Sequence, residues 1–169
     1  MSFNLTTAVS YAATAVNGLL AGATLDQSIK QLPARHKIGL PAYSAYSRAA
    51  DLGNGIAFYA VLGIGSALLS IASAIVAHKE HAAAEIKRPL YVAVGFAILH
   101  SLATTQAAPT NFSQRQVAPD DEAALARIFN RFERWQTVRS VFVVLNFGAL
   151  LWALGEQAFR NSGIRHRAH

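Results

Sequence analysis

Two ionisable side chains lie inside or at the edge of long apolar runs, namely His100 and Arg139. An imidazole can accept a proton near neutral pH, and a guanidinium can hold the anion that results. The pair therefore predicts general-base chemistry on an acidic substrate, and both residues are candidate catalytic residues. A structural alternative stays open for each: a neutral His100 bonded to a backbone carbonyl or a threonine, and Arg139 extended toward lipid phosphates.

The fourth apolar run positions Arg139. Residues 120–154 predict a charged amphipathic helix that continues into a membrane-spanning one. At about 100° per residue, one face of this helix carries Trp135, Arg139 and Asn146. Its charge-free part, 140–155, covers about 24 Å against a hydrocarbon core of about 30 Å. Arg139 is therefore expected at or inside the membrane edge.

Composition and charge placement predict the elements around this pair. The chain is 53% hydrophobic and 14% charged, and its charges are clustered. Three uncharged runs exceed the roughly 18 residues that mark a spanning helix. We predict an all-α, antiparallel four-helix transmembrane bundle, one domain over 1–169, with two long loops on one membrane side. The predicted spans are 4–24, 52–77, 89–108 and 137–158. A soluble bundle, the alternative, would normally show a polar face on each helix.

The predicted loops, 26–51 and 109–119, contain prolines and polar residues, and Asp120 is the predicted N-cap of the fourth helix. Polar side chains in hydrocarbon must face one another or a cavity, so a chamber is expected between the helices, roofed by both loops. The predicted substrate-binding residues are Asn17, Tyr43, Tyr46, Asn54, Asn111, Trp135 and Asn146. The predicted ion-pair partners of Arg139 are Asp26 and Asp51.

The remaining features bear on partners and cofactors. The net charge of +6 comes from basic residues that flank the apolar runs, which favours membrane phosphates over nucleic acid as the counter-charge. The density of basic residues near the spans predicts cytoplasmic termini. The chain has no cysteine, and its exposed histidines and acid, His78, His81, Glu85, His166 and His169, predict no metal site. We expect no cofactor, and a second copy of the chain is a candidate partner.

Two short motifs carry a resemblance to a known family. Pro109-Thr110-Asn111 follows the third span, and Phe132-Glu133-Arg134-Trp135-Gln136-Thr137-Val138-Arg139 opens the fourth. With the four-span layout, they resemble the anthrone-oxygenase-like family of small membrane proteins. The resemblance implies cofactor-independent oxidation of a lipophilic aromatic or quinone-like molecule, and it extends to Asn111, Trp135 and Arg139. The alternative function is a non-catalytic carrier, sensor or assembly subunit for such a ligand.

Overall fold

The fold is given by a computed structural model, which describes residues 4–166 and the side chains of 4–160 and 162. This part of the chain is helical almost throughout, which confirms the predicted all-α four-helix bundle. The helices are α1 (Leu5–Asp26), α2 (Leu32–Ile38), α3 (Leu40–Ala49), α4 (Gly55–Lys79), α5 (Ala84–Phe112) and α6 (Glu122–His166).

Four helical segments are long and apolar enough to cross a membrane. Each combines a length of 33 to 40 residues with an apolar window that carries few charges. The segments are Leu5–Ile38, Leu40–Lys79, Ala84–Gln116 and Glu122–Arg160. They fit a small multi-pass integral membrane protein.

The first predicted loop, 26–51, is helical, so the prediction of its conformation is wrong. A π-helical turn, Gln27–Gln31, continues α1 into α2, and a second one, Ala50–Asn54, joins α3 to α4. The helical backbone breaks at Gly39, whose φ of 85° favours glycine, and it bends again at Gly53, whose φ of −96° and ψ of −115° are not helical. Pro41 lies in the first turn of α3, where a missing N–H loses no helical bond, and Pro33 lies in the first turn of α2, directly after the π-helical turn. The α2–α3 hairpin therefore replaces the loop.

The second predicted loop, 109–119, is also mostly helical. Helix α5 runs through Pro109 to Phe112, and a 3₁₀ turn, Ser113–Gln116, extends it. Asp121 Oδ1 accepts a hydrogen bond of 2.9 Å from the backbone N–H of Ala124. The side-chain cap of α6 is therefore Asp121, one residue after the predicted Asp120.

Small side chains bring the four long helices together. Helix α1 packs against α4 and α6, and α5 packs against the same two helices, with the most extensive contact between α5 and α6. One core cluster consists mainly of alanines: Ala13, Ala74, Ala77, Ala93, Ala149 and Ala153, with Leu90 and Leu150. Alanine allows close backbone approach between helices in a membrane.

The α2–α3 hairpin packs against the amino-terminal part of α6. A second core cluster joins Leu32 and Tyr43 of the hairpin to Leu125 and Phe129 of α6. Arg35 of α2 is buried and contacts Glu133 of α6 with an N–O distance of 2.6 Å. These contacts hold the hairpin over one end of the bundle.

Candidate functional site

A cavity of about 480 Å³ lies between α4 and α5 and extends inward to α6. Most of its wall is apolar, with Leu20, Ile56 and Phe132 among the lining residues. Its polar members come from several elements: Gln27, Asp51, Tyr59, His100, Ser101, Thr104, Asn111 and Arg139. Pockets of this size with few convergent polar groups are typical of small-molecule sites.

Arg139 has the least satisfied side chain in this cavity. The residue is 8% exposed, and its buried Nε has no hydrogen-bond partner. The guanidinium forms no hydrogen bond or ion pair with any residue within the described part of the chain. Its one aromatic contact is with Tyr59, where Cζ lies 5.8 Å from the ring centroid. Buried polar groups in proteins are nearly always hydrogen-bonded. The missing acceptor therefore makes Arg139 unusual among buried polar side chains.

The predicted ion pairs of Arg139 do not form. Asp26 contacts Lys30 instead, at 2.5 Å on an accessible helix face. Asp51 is buried and accepts a hydrogen bond of 2.9 Å from Ser47 Oγ. Asp51 lines the same cavity as Arg139 and lies near enough to interact with it electrostatically, but outside ion-pair distance. The cavity therefore contains a carboxyl group and a guanidinium without a direct bond between them.

His100 is held in one tautomer. The residue is buried and lines the cavity, and its Nδ1 lies 3.0 Å from the backbone carbonyl oxygen of Arg139. A carbonyl oxygen can only accept, so Nδ1 of the neutral ring carries the proton and Nε2 carries the lone pair. The predicted structural contact to a backbone carbonyl is thus present at one nitrogen. The other nitrogen has the form that a general base requires.

Two lining residues come from the π-helical turns. Gln27 is the first residue of the turn after α1, and Asp51 is the second residue of the turn before α4. Both side chains are buried, and Gln27 Oε1 has no hydrogen-bond partner. A π turn inserts one residue and rotates the following side chains, and such turns are frequent at functional sites. The two turns therefore place a carboxylate and an amide at the polar end of the cavity.

Two of the predicted substrate-binding residues, Asn17 and Asn146, do not line the cavity. They form a polar network at the centre of the bundle with Ser66 and Ser70 of α4. Asn146 Nδ2 donates to Asn17 Oδ1 at 2.7 Å, and Ser66 Oγ donates to the same oxygen at 2.6 Å. Side chains from three helices thus satisfy one another. Their observed role is to join α1, α4 and α6.

The predicted aromatic ligands also lie outside the cavity wall. Tyr43 is buried against Phe129 with a centroid distance of 4.9 Å, and Trp135 packs against the same cluster. Tyr46 and Asn54 are exposed on the hairpin and at the start of α4. Of the predicted site residues, His100, Arg139, Asp51 and Asn111 line the cavity. The structure brings those four together and separates the others from them.

Sequence reasoning missed several lining residues, of which Tyr59 and Gln27 are the most polar. Tyr59 is the only tyrosine in the second apolar run, and this signal was readable from the sequence. Gln27 carried no comparable signal, because a conventional helix or loop would have directed it differently. Thr104 lies one turn after His100, and its Oγ1 donates to the His100 carbonyl at 2.9 Å.

The exposed histidines do not converge. His78 contacts the hydroxyl of Tyr91 at 3.0 Å, and Glu85 pairs with Arg160 at 2.8 Å. Within the described residues, no three His, Asp or Glu side chains are arranged to hold a metal ion. The side chain of His166 and the whole of His169 lie outside that part of the chain.

Comparison with known proteins adds no family assignment. No protein-family model, no curated protein and no solved structure matches this chain. The cavity and the residues that line it therefore carry the functional assignment.

Proposed function

We propose that this small membrane protein binds a lipophilic aromatic or quinone-like molecule through an acidic oxygen at Arg139. The observation that carries the proposal is a buried guanidinium without an acceptor, in a cavity with mainly apolar walls. An isolated buried cation is unfavourable by several kcal/mol, on the order that burial of an unpaired charge costs. A ligand oxygen with negative charge would offset that cost.

The chemistry of the ligand follows from the donors. A guanidinium presents planar N–H groups in a fixed fork, which suits a phenolate, an enolate or a carboxylate. The surrounding wall includes Tyr59, Phe132 and Leu20, which match a flat apolar ring system. Asp51 at the same end would repel a second anion and accept a hydrogen bond from a ligand hydroxyl. An aromatic acid with an adjacent hydroxyl group satisfies both charged residues.

His100 supports a catalytic form of the same proposal. Its Nε2 has the lone pair of a general base, and the resemblance to anthrone-oxygenase-like proteins suggests the reaction. Nε2 removes one proton from a methylene flanked by aromatic rings, and Arg139 stabilises the oxyanion of the resulting enolate. O₂ then adds to that carbon, the resulting peroxide anion takes back the proton from Nε2, and loss of water from the hydroperoxide leaves a ketone. The methylene and one O₂ thus give a carbonyl group and one water.

Purified protein in lipid nanodiscs tests binding and oxidation separately. Binding of anthracene-9-carboxylate is expected to weaken about 10- to 100-fold in Arg139→Gln, as for a lost charge-assisted hydrogen bond. Arg160→Gln is the matched control, because that guanidinium is exposed at the opposite end and pairs with Glu85. Absence of specific binding to the wild-type protein would contradict the proposed function.

Oxidation of anthrone under air tests the catalytic form. The wild-type protein is expected to exceed the spontaneous rate, and both His100→Asn and Arg139→Gln are expected to remove the excess. A rate equal to the spontaneous one, with Arg139-dependent binding retained, would favour the carrier or sensor alternative.

A further inference from the structure

The outer wall of the cavity belongs to the lateral surface of the bundle. Six of its lining residues are exposed: Ile56, Ala60, Ile64 and Leu68 on α4, and Ser101 and Phe112 on α5. Ile64 and Leu68 are 62% and 61% exposed and lie within an apolar spanning segment, so they face the hydrocarbon of the bilayer. The cavity is therefore open toward lipid, between α4 and α5.

The polar end of the cavity is closed by hydrogen bonds. Arg48 of α3 donates to the backbone carbonyls of Gln114 and Val117, and Arg115 donates to that of Leu52 at 2.5 Å. Gln114 is fully buried and donates to Asn111 Oδ1 at 2.7 Å. These bonds tie the α2–α3 hairpin and the second π-helical turn to the end of α5. A ligand from the aqueous phase would have to break several of them.

The gap between α4 and α5 has no such fastening. The one hydrogen bond that joins these helices in the described chain, His78 to Tyr91, lies at their far end. Small residues border the gap, among them Gly63 and Ala67 of α4 and Ser101 of α5. A second apolar depression of about 190 Å³ shares Ala67 and Ser101 with the cavity and continues along the same two helices. The opening therefore extends deeper into the hydrocarbon layer.

We infer that the ligand reaches Arg139 sideways from the bilayer and is an amphiphile, with an acidic aromatic head in the cavity and a hydrocarbon chain left among the lipids. The inference rests on the proposed function of Arg139 as the anion anchor. The hydrocarbon chain contributes little free energy to binding, because the lipid around it is as apolar as the gap between α4 and α5. Selection then depends on the head, and the chain can exceed the length that a closed 480 Å³ cavity would hold.

Two probes in phosphatidylcholine vesicles test this inference: anthracene-9-carboxylate and its 10-dodecyl derivative. Affinity is expressed per mole fraction of probe in the bilayer, so that partitioning is divided out. For the wild-type protein, the two affinities are expected to agree within about threefold, since the chain contributes little. Gly63→Phe places a ring in the gap, where an added Cβ meets no atom within 4 Å.

Gly63→Phe is expected to weaken binding of the dodecyl probe at least about tenfold relative to binding of the short probe, because the phenylalanine ring clashes with the hydrocarbon chain as it leaves the cavity. Ser101→Phe across the gap should do the same, and it gives a second test if Gly63→Phe does not fold. Gly95→Phe is the matched control, because Gly95 is exposed on α5, equally free of contacts, and outside both depressions.

The outcomes separate this inference from the proposed function. If the short probe binds through Arg139 but the wild-type protein excludes the dodecyl probe, lateral access is overturned and the proposed function stands. An unchanged ratio in both gap variants would overturn lateral access as well. If neither probe binds the wild-type protein, the proposed function fails and the inference fails with it.

Discussion

Two buried arginines, one with protein partners and one without, allow a direct test of the unpaired guanidinium of Arg139. Arg35 donates to Glu133 at 2.6 Å and to the Leu32 carbonyl at 3.1 Å. Arg139 donates to no described residue. Their exposures are similar, 3% and 8%. Replacement of each by methionine therefore removes a buried cation of the same size, with protein partners in one case and none in the other.

The expected effects have opposite signs. Arg139→Met loses the contact with Tyr59, about 0.5–2 kcal/mol for a cation–π pair, and relieves several kcal/mol of uncompensated desolvation. The free energy of unfolding without ligand is expected to rise by about 1–3 kcal/mol. Arg35→Met leaves Glu133 without its cation, and the free energy of unfolding is expected to fall by about 1–3 kcal/mol, less than for a fully buried pair because Glu133 is partly exposed.

Reversible unfolding in mixed micelles, by titration with a denaturing detergent, measures both changes. The same Arg139→Met protein is expected to lose binding of anthracene-9-carboxylate, so that stability and binding change in opposite directions. A loss of stability in Arg139→Met equal to that in Arg35→Met would refute the reasoning. It would mean that the bundle itself satisfies the guanidinium.

Three further predictions concern the rest of the molecule. Asn146→Leu is expected to lower the free energy of unfolding by about 1–3 kcal/mol in the same titration, because Asn17 on α1 and Ser70 on α4 lose the hydrogen bonds that the Asn146 amide donates. Hydrogen bonds from Thr6 hold the pKa of Glu80 below its usual range. Their stabilisation is present above the unfolded-state pKa and is lost as the pH falls through the folded-state pKa, so Glu80→Gln should flatten the melting temperature across acidic pH. For topology, a membrane-impermeant maleimide applied from outside is expected to label Lys37→Cys and not Lys79→Cys.

The four long apolar helices were predictable because they depend on hydrophobic length and on charge placement, which a sequence displays directly. The position of His100 and Arg139 at a cavity was predictable for a related reason. An ionisable group in an apolar run must be accommodated somewhere, and here both line the cavity. These inferences needed only the chain position of each residue and the cost of its burial.

The connecting segments were less predictable because proline and glycine occur both in loops and at the ends of helices. Pro33 and Pro41 indicated a loop, whereas Pro41 lies at the start of α3, where proline is equally favoured, and Pro33 directly follows a π-helical turn inside a continuous helical segment. The two π-helical turns have no local sequence signal, although they decide that Gln27 and Asp51 line the cavity. Side-chain direction after such a turn depends on the packing of the whole hairpin against α6.

The number of hydrogen-bond donors and acceptors distinguishes Asn17 and Asn146, which do not line the cavity, from Arg139, which does. Asn17 and Asn146 each have both kinds of group, so with two serines they satisfy one another at the bundle centre. Arginine has donors only, and it therefore needs an acceptor from elsewhere. The carboxylate on the same cavity wall, Asp51, is bonded to Ser47 and lies outside ion-pair distance. Position within an apolar segment selects all these residues as candidates. Only Arg139 among them lacks a hydrogen-bond acceptor, which a ligand would supply.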